Sequence, residues 1–133
     1  MEKYHINDDI KVWALEARNF PEGIPETFMK LEKIVGGFEG KDVYGLSVCN
    51  GEKVQYWAAV DGKTEGELPK GELEPMTIAK GEYISATLQN WQANIPQMPK
   101  LFDEMSSLPD AKPKAWCIEC YQGNDMVLLV ETK

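Results

Sequence analysis

Val43-Tyr44-Gly45-Leu46-Ser47-Val48-Cys49-Asn50-Gly51 is the stretch on which the fold turns. Its side chains alternate. Tyr44, Leu46 and Val48 form a large apolar face, and Gly45, Ser47 and Cys49 a small one. Asn50-Gly51 reads as a type I′ hairpin turn and Val54 to Val60 as the returning strand. At a shift of 72 the pattern recurs. Trp116, Ile118 and Cys120 replace the first set, and Cys117, Glu119 and Tyr121 the second. Gln122-Gly123 takes the place of the turn.

Working outward, other landmarks repeat at nearly the same interval. Ile24-Pro25 opens a helical stretch and Ile95-Pro96 another, a shift of 71. Lys30-Leu31 recurs as Lys100-Leu101, a shift of 70. Phe28, Leu31, Ile34 and Val35 fall at helical spacing, and Gly36-Gly37 stops the run. Pro96 to Met105 is the second helix. Ile10 to Ala17, Met76 to Ala79 and Tyr83 to Trp91 are extended, and Ala115 to Tyr121 with Met126 to Glu131 form a closing hairpin. Asp61 to Glu74 is polar and glycine-rich, as a linker would be. The expectation is a duplicated α+β fold: two strand–helix–strand–strand modules related by a pseudo-two-fold, with antiparallel sheets and a central ligand cleft. It makes one domain over 1–133, with halves of approximately 8–61 and 75–133.

Strand alternation assigns faces. The Tyr44 set, with Trp57, Trp116 and Ile118, is expected under the helices, and the Gly45 set in a groove on the other side. A two-residue turn at Asn50-Gly51 pairs Cys49 with Glu52, Gly45 with Tyr56 and Trp57 with Tyr44. That adds Tyr56 to the groove, and the same logic adds Met126, Leu128 and Val130. Shifts of 71 and 72 place Trp13 on opposite faces and leave its side open. The groove is thus one carboxylate, Glu119, among Tyr56, Tyr121, Cys117, Leu128 and the small residues Gly45 and Ser47. Trp91 is the tryptophan best placed for its mouth. Such a site suits a flat lipophilic ligand, a cation above all, since aromatic faces attract cations and a dry carboxylate resists ionising alone.

Composition narrows the alternatives. With 133 residues, 43% hydrophobic and 27% charged, the chain matches one globular domain. No apolar run approaches the ~18 residues of a membrane span, and the first five residues lack a signal-peptide core, so a cytoplasmic location is expected. The net charge of −8 with scattered basic residues argues against nucleic acid and permits a protein partner. Cys117-Ile118-Glu119-Cys120 has CxxC spacing, but in a strand positions three apart point to opposite faces. With no second cysteine pair and a lone His5, no metal is expected. No Ser/His/Asp set, phosphate loop or dinucleotide glycine pattern calls for a cofactor. Asp103-Glu104 and Glu65 to Glu74 read as solvated charge.

The chain resembles the GyrI-like (gyrase-inhibitor-like) small-molecule-binding domains, which also serve as effector-binding domains of bacterial multidrug-responsive regulators. The resemblance rests on Val43 to Ser47, Val54 to Val60, Leu68 to Glu74, Met76 to Tyr83 and Ile118-Glu119-Cys120-Tyr121 in that order, nearly the whole chain. It implies two pseudo-symmetric modules, a pocket glutamate at Glu119 and strand tyrosines at Tyr56, Tyr83 and Tyr121. It further implies lipophilic, often cationic, ligands. Three activities follow: a standalone binding protein, a hydrolase of strained cyclopropane-containing compounds using Glu119 with Tyr56 or Tyr121, or a gyrase-inhibitor-like interaction module. No helix-turn-helix pattern is present, so a self-contained transcription factor is not expected. The Trp-Leu-Pro motif of the family is reduced to Leu108-Pro109.

Overall fold

A computed structural model of the chain describes residues 2–18, 22–50, 53–62 and 73–133, with backbone only at 49 and 50. The order of elements is β1 (Glu2–Ile6), β2 (Ile10–Glu16), α1 (Ile24–Val35), β3 (Val43–Asn50) and β4 (Lys53–Asp61), then β5 (Glu74–Ile78), β6 (Gly81–Leu88), α2 (Gln97–Ser106), β7 (Cys117–Gln122) and β8 (Asp125–Glu131). A 3₁₀ turn, Trp91–Ala93, precedes α2. Each half is therefore strand–strand–helix–strand–strand. The extra strand in the first half is β1, whose polar Glu2-Lys3-Tyr4-His5 gives no apolar alternation to read.

All eight strands form one antiparallel sheet, in the order β1-β6-β8-β7-β3-β4-β2-β5. The halves meet where β3 pairs with β7, centred on Gly45 opposite Glu119. They also exchange their first strands: β1 pairs with β6 of the second half and β5 with β2 of the first. The exchange bends the sheet. β1 and β2 stand six strands apart, ~29 Å across a flat sheet. Asn7 to Asp9, which join them, reach at most ~15 Å. Ala79 and Lys80 impose the same demand between β5 and β6. The sheet curls until the two links touch, and the Lys80 N–H donates to Asp9 Oδ1 at 2.8 Å.

A curled sheet has an inner and an outer face, and both are buried. The inner face is packed by strand residues alone, among them Ile6, Val12, Leu46, Trp57, Ile78, Ile118 and Leu129. The helices lie on the outer face, the one that carries Gly45 and Glu119. Leu31 and Val35 of α1 cover Trp13, Ala58 and Val60. Met105, Leu101 and Phe102 of α2 cover Ile84, Met126, Leu128 and Val130. This corrects two expectations. The helices flank the groove instead of backing it, and Trp57, Trp116 and Ile118 are covered by the inner face of the sheet, not by helices. Apolarity of the Tyr44 set marked burial correctly but could not name what buries it. Trp13 falls on the α1 side.

The first hairpin is offset by one turn position. Asn50 pairs with Lys53, and Gly51 and Glu52 between them lie outside the described residues. Tyr56 consequently stands opposite Ser47, and Trp57 opposite Leu46. A slip of two in pairing preserves the face, which is why Tyr56 still joins Glu119. α1 begins with Pro25 in its first turn and ends on Gly36 at φ +78°, with the Gly37 N–H donating to Glu32 O at 2.8 Å. No helix among the described residues is long and apolar enough to cross a membrane.

Leu31 is fully buried between α1 and the sheet, while Met29 on the same helix is 61% exposed. Leu31→Ala should lower stability in urea denaturation by about 2–5 kcal/mol, and Met29→Ala by no more than about 0.5 kcal/mol. Equal losses would mean that α1 docks through a different face.

Candidate functional site

The site is built on the seam between the halves. β7 brings Glu119 opposite Gly45 of β3 and opposite Leu128 of β8. Ser47 stands opposite both Tyr56 and Cys117. Alternation along these strands turns all of them, with Tyr121, to one face. Gly45 is small for a reason: a Cβ there would overlap Glu119 Oε1 and the Tyr56 hydroxyl. The missing side chain is the floor on which the carboxylate lies.

Glu119 is 7% exposed. The Tyr56 hydroxyl donates to its Oε1 at 2.5 Å and the Tyr121 hydroxyl donates to the same oxygen at 3.0 Å. Two phenols, and no ammonium or guanidinium, face this charge among the described residues. Burial raises the carboxyl above its ordinary 4.5, and the two phenol bonds pull it partly back. Tyr56 and Tyr121 are both held well above their usual range, by burial first and by the adjacent carboxylate second. At neutral pH they are donors, not phenolates.

Aromatic rings close over this core. Phe28 of α1 meets Tyr56 edge-on at 6.2 Å between centroids and Tyr121 at 5.4 Å. From the other half, Trp91 meets Tyr121 at 5.2 Å and 81°. Phe28 and Trp91 thus pack against the two phenols that hold the carboxylate. Trp91 Nε1 is buried and makes no hydrogen bond among the described residues, a rarity that marks a donor without its acceptor. Phe28 is the residue the sequence reading left in the helix core. Once the helices are known to flank the groove, the α1 ring nearest its N-terminus is the one that reaches the seam.

The structure gathers Glu119, Tyr56, Tyr121, Gly45, Ser47, Cys117, Leu128 and Trp91 on this face. Tyr83 it does not. Tyr83 lies on the inner face, and its hydroxyl donates to Ala79 O at 2.5 Å. It sits an odd number of residues from Ile84, which packs under α2, and so points the other way. Burial raises its hydroxyl to about 12. Cys117 and Cys120 face opposite sides, as strand alternation requires, so the CxxC spacing forms no dithiol site. Among the described residues no three His, Cys, Asp or Glu side chains gather as metal ligands.

No protein-family model matches the chain, and no curated protein matches it. Solved structures do. An integron cassette protein from the mobile metagenome of Vibrio cholerae superposes with a TM-score of 0.73 at 15% identity, covering 99% of this chain and 95% of that one. SAV2435, in a structure with bound tetraphenylphosphonium, gives 0.74 at 15% identity, covering 99% and 93%. A hydrolase of Listeria innocua gives 0.60 at 9% identity, covering 99% and 91%. At these identities the similarity establishes the shared fold.

Two outcomes follow from the geometry. Gly45→Ala should displace Glu119 and Tyr56 and lower stability by about 1–3 kcal/mol, the scale of an overpacked core. A crystal structure of the variant with the Tyr56–Glu119 bond intact would contradict this. The second concerns pH. A carboxyl raised in the folded state binds its proton more tightly there than in the unfolded chain. Its contribution to stability is full in acid, below the ordinary 4.5, and is lost as pH climbs through the raised folded value. Glu119→Gln removes that loss, so its stability relative to the parent should rise with pH across the window. Urea midpoints at a series of pH values test it; a constant difference would mean that Glu119 ionises as freely as in water.

Proposed function

We propose that this chain is a GyrI-like small-molecule-binding domain that takes lipophilic, preferentially cationic, compounds at the seam between its halves. The observation that carries the reading is Glu119: a carboxylate 7% exposed, held by two phenols and ringed by aromatics, with a phenol network where a counter-cation would stand. A delocalised organic cation supplies that charge without a strongly held hydration shell. The rings of Tyr56, Tyr121, Phe28 and Trp91 offer it cation–π faces worth about 0.5–2 kcal/mol each. The tetraphenylphosphonium bound by the structural neighbour is a compound of this class. Since Tyr56 is 2% exposed, the ligand enters by displacing a covering ring. Phe28 and Trp91 are the candidates, because among the described residues neither donates a hydrogen bond that anchors it.

A second reading keeps the same residues. The short Tyr56–Glu119 hydrogen bond and a raised carboxyl are also what a general base needs, with a phenol orienting the attacked atom. Binding and hydrolysis separate by the fate of the ligand.

Calorimetric titration with tetraphenylphosphonium and with neutral triphenylphosphine oxide tests the proposal. Glu119→Gln should weaken the cation by roughly 1–3 kcal/mol and leave the neutral compound nearly unchanged. Equal losses would assign Glu119 a packing role. A ligand recovered intact by mass spectrometry supports binding; strained esters or cyclopropanes consumed by the parent but not by Glu119→Gln would make the protein a hydrolase.

A further inference from the structure

The pseudo-two-fold is broken on the inner face of the sheet, away from Glu119. The two hairpins correspond at a shift of 72, so Trp57 answers to Leu129 and Tyr44 to Trp116. At one end of the curl the tryptophans of both pairs meet: Trp57 and Trp116 lie 5.5 Å apart between ring centroids and fill the space between the hairpins. At the other end their counterparts are Leu129 and Tyr44. One indole has become an isobutyl group and the other a phenol, and a cavity of about 230 Å³ stands where the rings would have been. Tyr4, Ile6, Ile10, Tyr44, Ile78 and Leu129 line it, Asp42 stands on its rim just before β3, and Tyr121 and Gln122 at the end of β7 also border it.

The pocket opens to solvent beside Tyr4 and Asp42, both exposed, so a ligand can reach it without the sheet parting. The volume here lies below the ~300–1,000 Å³ of drug-sized pockets, which sets the occupant at fragment size. Its walls combine isoleucine, leucine and tyrosine with the polar side chains of Asp42 and Gln122, and among the described residues they include no lysine, arginine or histidine. The one acidic side chain on its boundary is Asp42, in a chain of net charge −8. A carboxylate ligand is repelled, and an ammonium group placed at the Asp42 end is favoured. Cys120 has its thiol pushed up to about 12, by burial and then by neighbouring carboxylates, so it adds no thiolate.

We propose that this inner-face pocket, which shares the Tyr121 strand with the Glu119 cleft but lies on the opposite face of the sheet, is a second small-molecule site that takes a small aromatic or branched-aliphatic ammonium ion. The apolar body lies among Ile6, Ile10, Ile78 and Leu129, and the ammonium points to Asp42.

Isoleucine-methyl NMR reads the site directly, with benzylamine, benzyl alcohol and benzoate as probes. Benzylamine should shift the methyls of Ile6, Ile10 and Ile78 saturably and leave Ile84, under α2, in place. Because Asp42 is exposed, benzyl alcohol should bind only about two- to five-fold more weakly. Benzoate should not bind. Leu129→Trp installs the residue found at the corresponding position of the first half and should abolish the shifts. Should that variant not fold, Asp42→Asn, at the surface, should bring benzylamine down to the affinity of benzyl alcohol. Glu119→Gln should change none of these values. The proposal fails if no saturable shift occurs, if the three probes bind equally, or if a folded Leu129→Trp still binds. It fails also if Glu119→Gln removes the shifts, which would place the probes in the cleft.

Discussion

Two short links set the shape of this molecule. Asn7 to Asp9 and Ala79 to Lys80 each join strands that stand six places apart in the sheet, and neither can reach across it flat. Curvature is therefore a requirement of connectivity, enforced before any side chain is considered. Curvature then dictates burial. The inner face closes on itself and needs no helix, so both helices are free for the outer face. There they sit one over each half, and the gap between them falls on the β3–β7 seam.

A seam on a pseudo-two-fold invites paired residues, and this one departs from symmetry where chemistry is concentrated. At the axis, Gly45 answers to Cys117 in the duplicated alternation, while the glycine floor is spent on Glu119 from the opposite strand. Only one carboxylate can occupy that floor. Two like charges so close would repel, and one would stay protonated. Tyr56 and Tyr121 arrive from different halves, yet both hydroxyls converge on one oxygen. Duplication supplies the scaffold, and two departures from it, Gly45 where the second half has Cys117 and Glu119 where the first has Ser47, make room for one buried carboxylate.

Much of this was legible in the residues. The recurrence of the hairpins and helix starts at shifts of 70 to 72 gave the α+β duplication. Alternation put Gly45, Ser47, Glu119 and Tyr121 on one face, and parity kept Tyr56 with them although its pairing was off by two. Other features leave no local trace. β1 has polar side chains because it is an edge strand, and only its pairing with β6 reveals it. The exchange of β1 and β5 is a choice of partner, which strand propensity does not encode. The side on which the helices pack was misread because both faces are apolar, and an apolar face does not state what covers it. Tyr83 lay beside the family pattern but one position out of phase with the cleft.

The exchanged strands also set a timetable for synthesis. β1 leaves the ribosome ahead of the other seven strands, yet the strand it pairs with is β6; Ser85, which reaches Glu2, is 83 residues downstream. The first half can assemble α1 on β2, β3 and β4 as it emerges, but its opening strand stays unpaired until the second half is more than begun. Contacts between positions so remote in sequence are slow to form. The two links that curve the sheet thus also delay its closure, and each half is completed by a strand of the other.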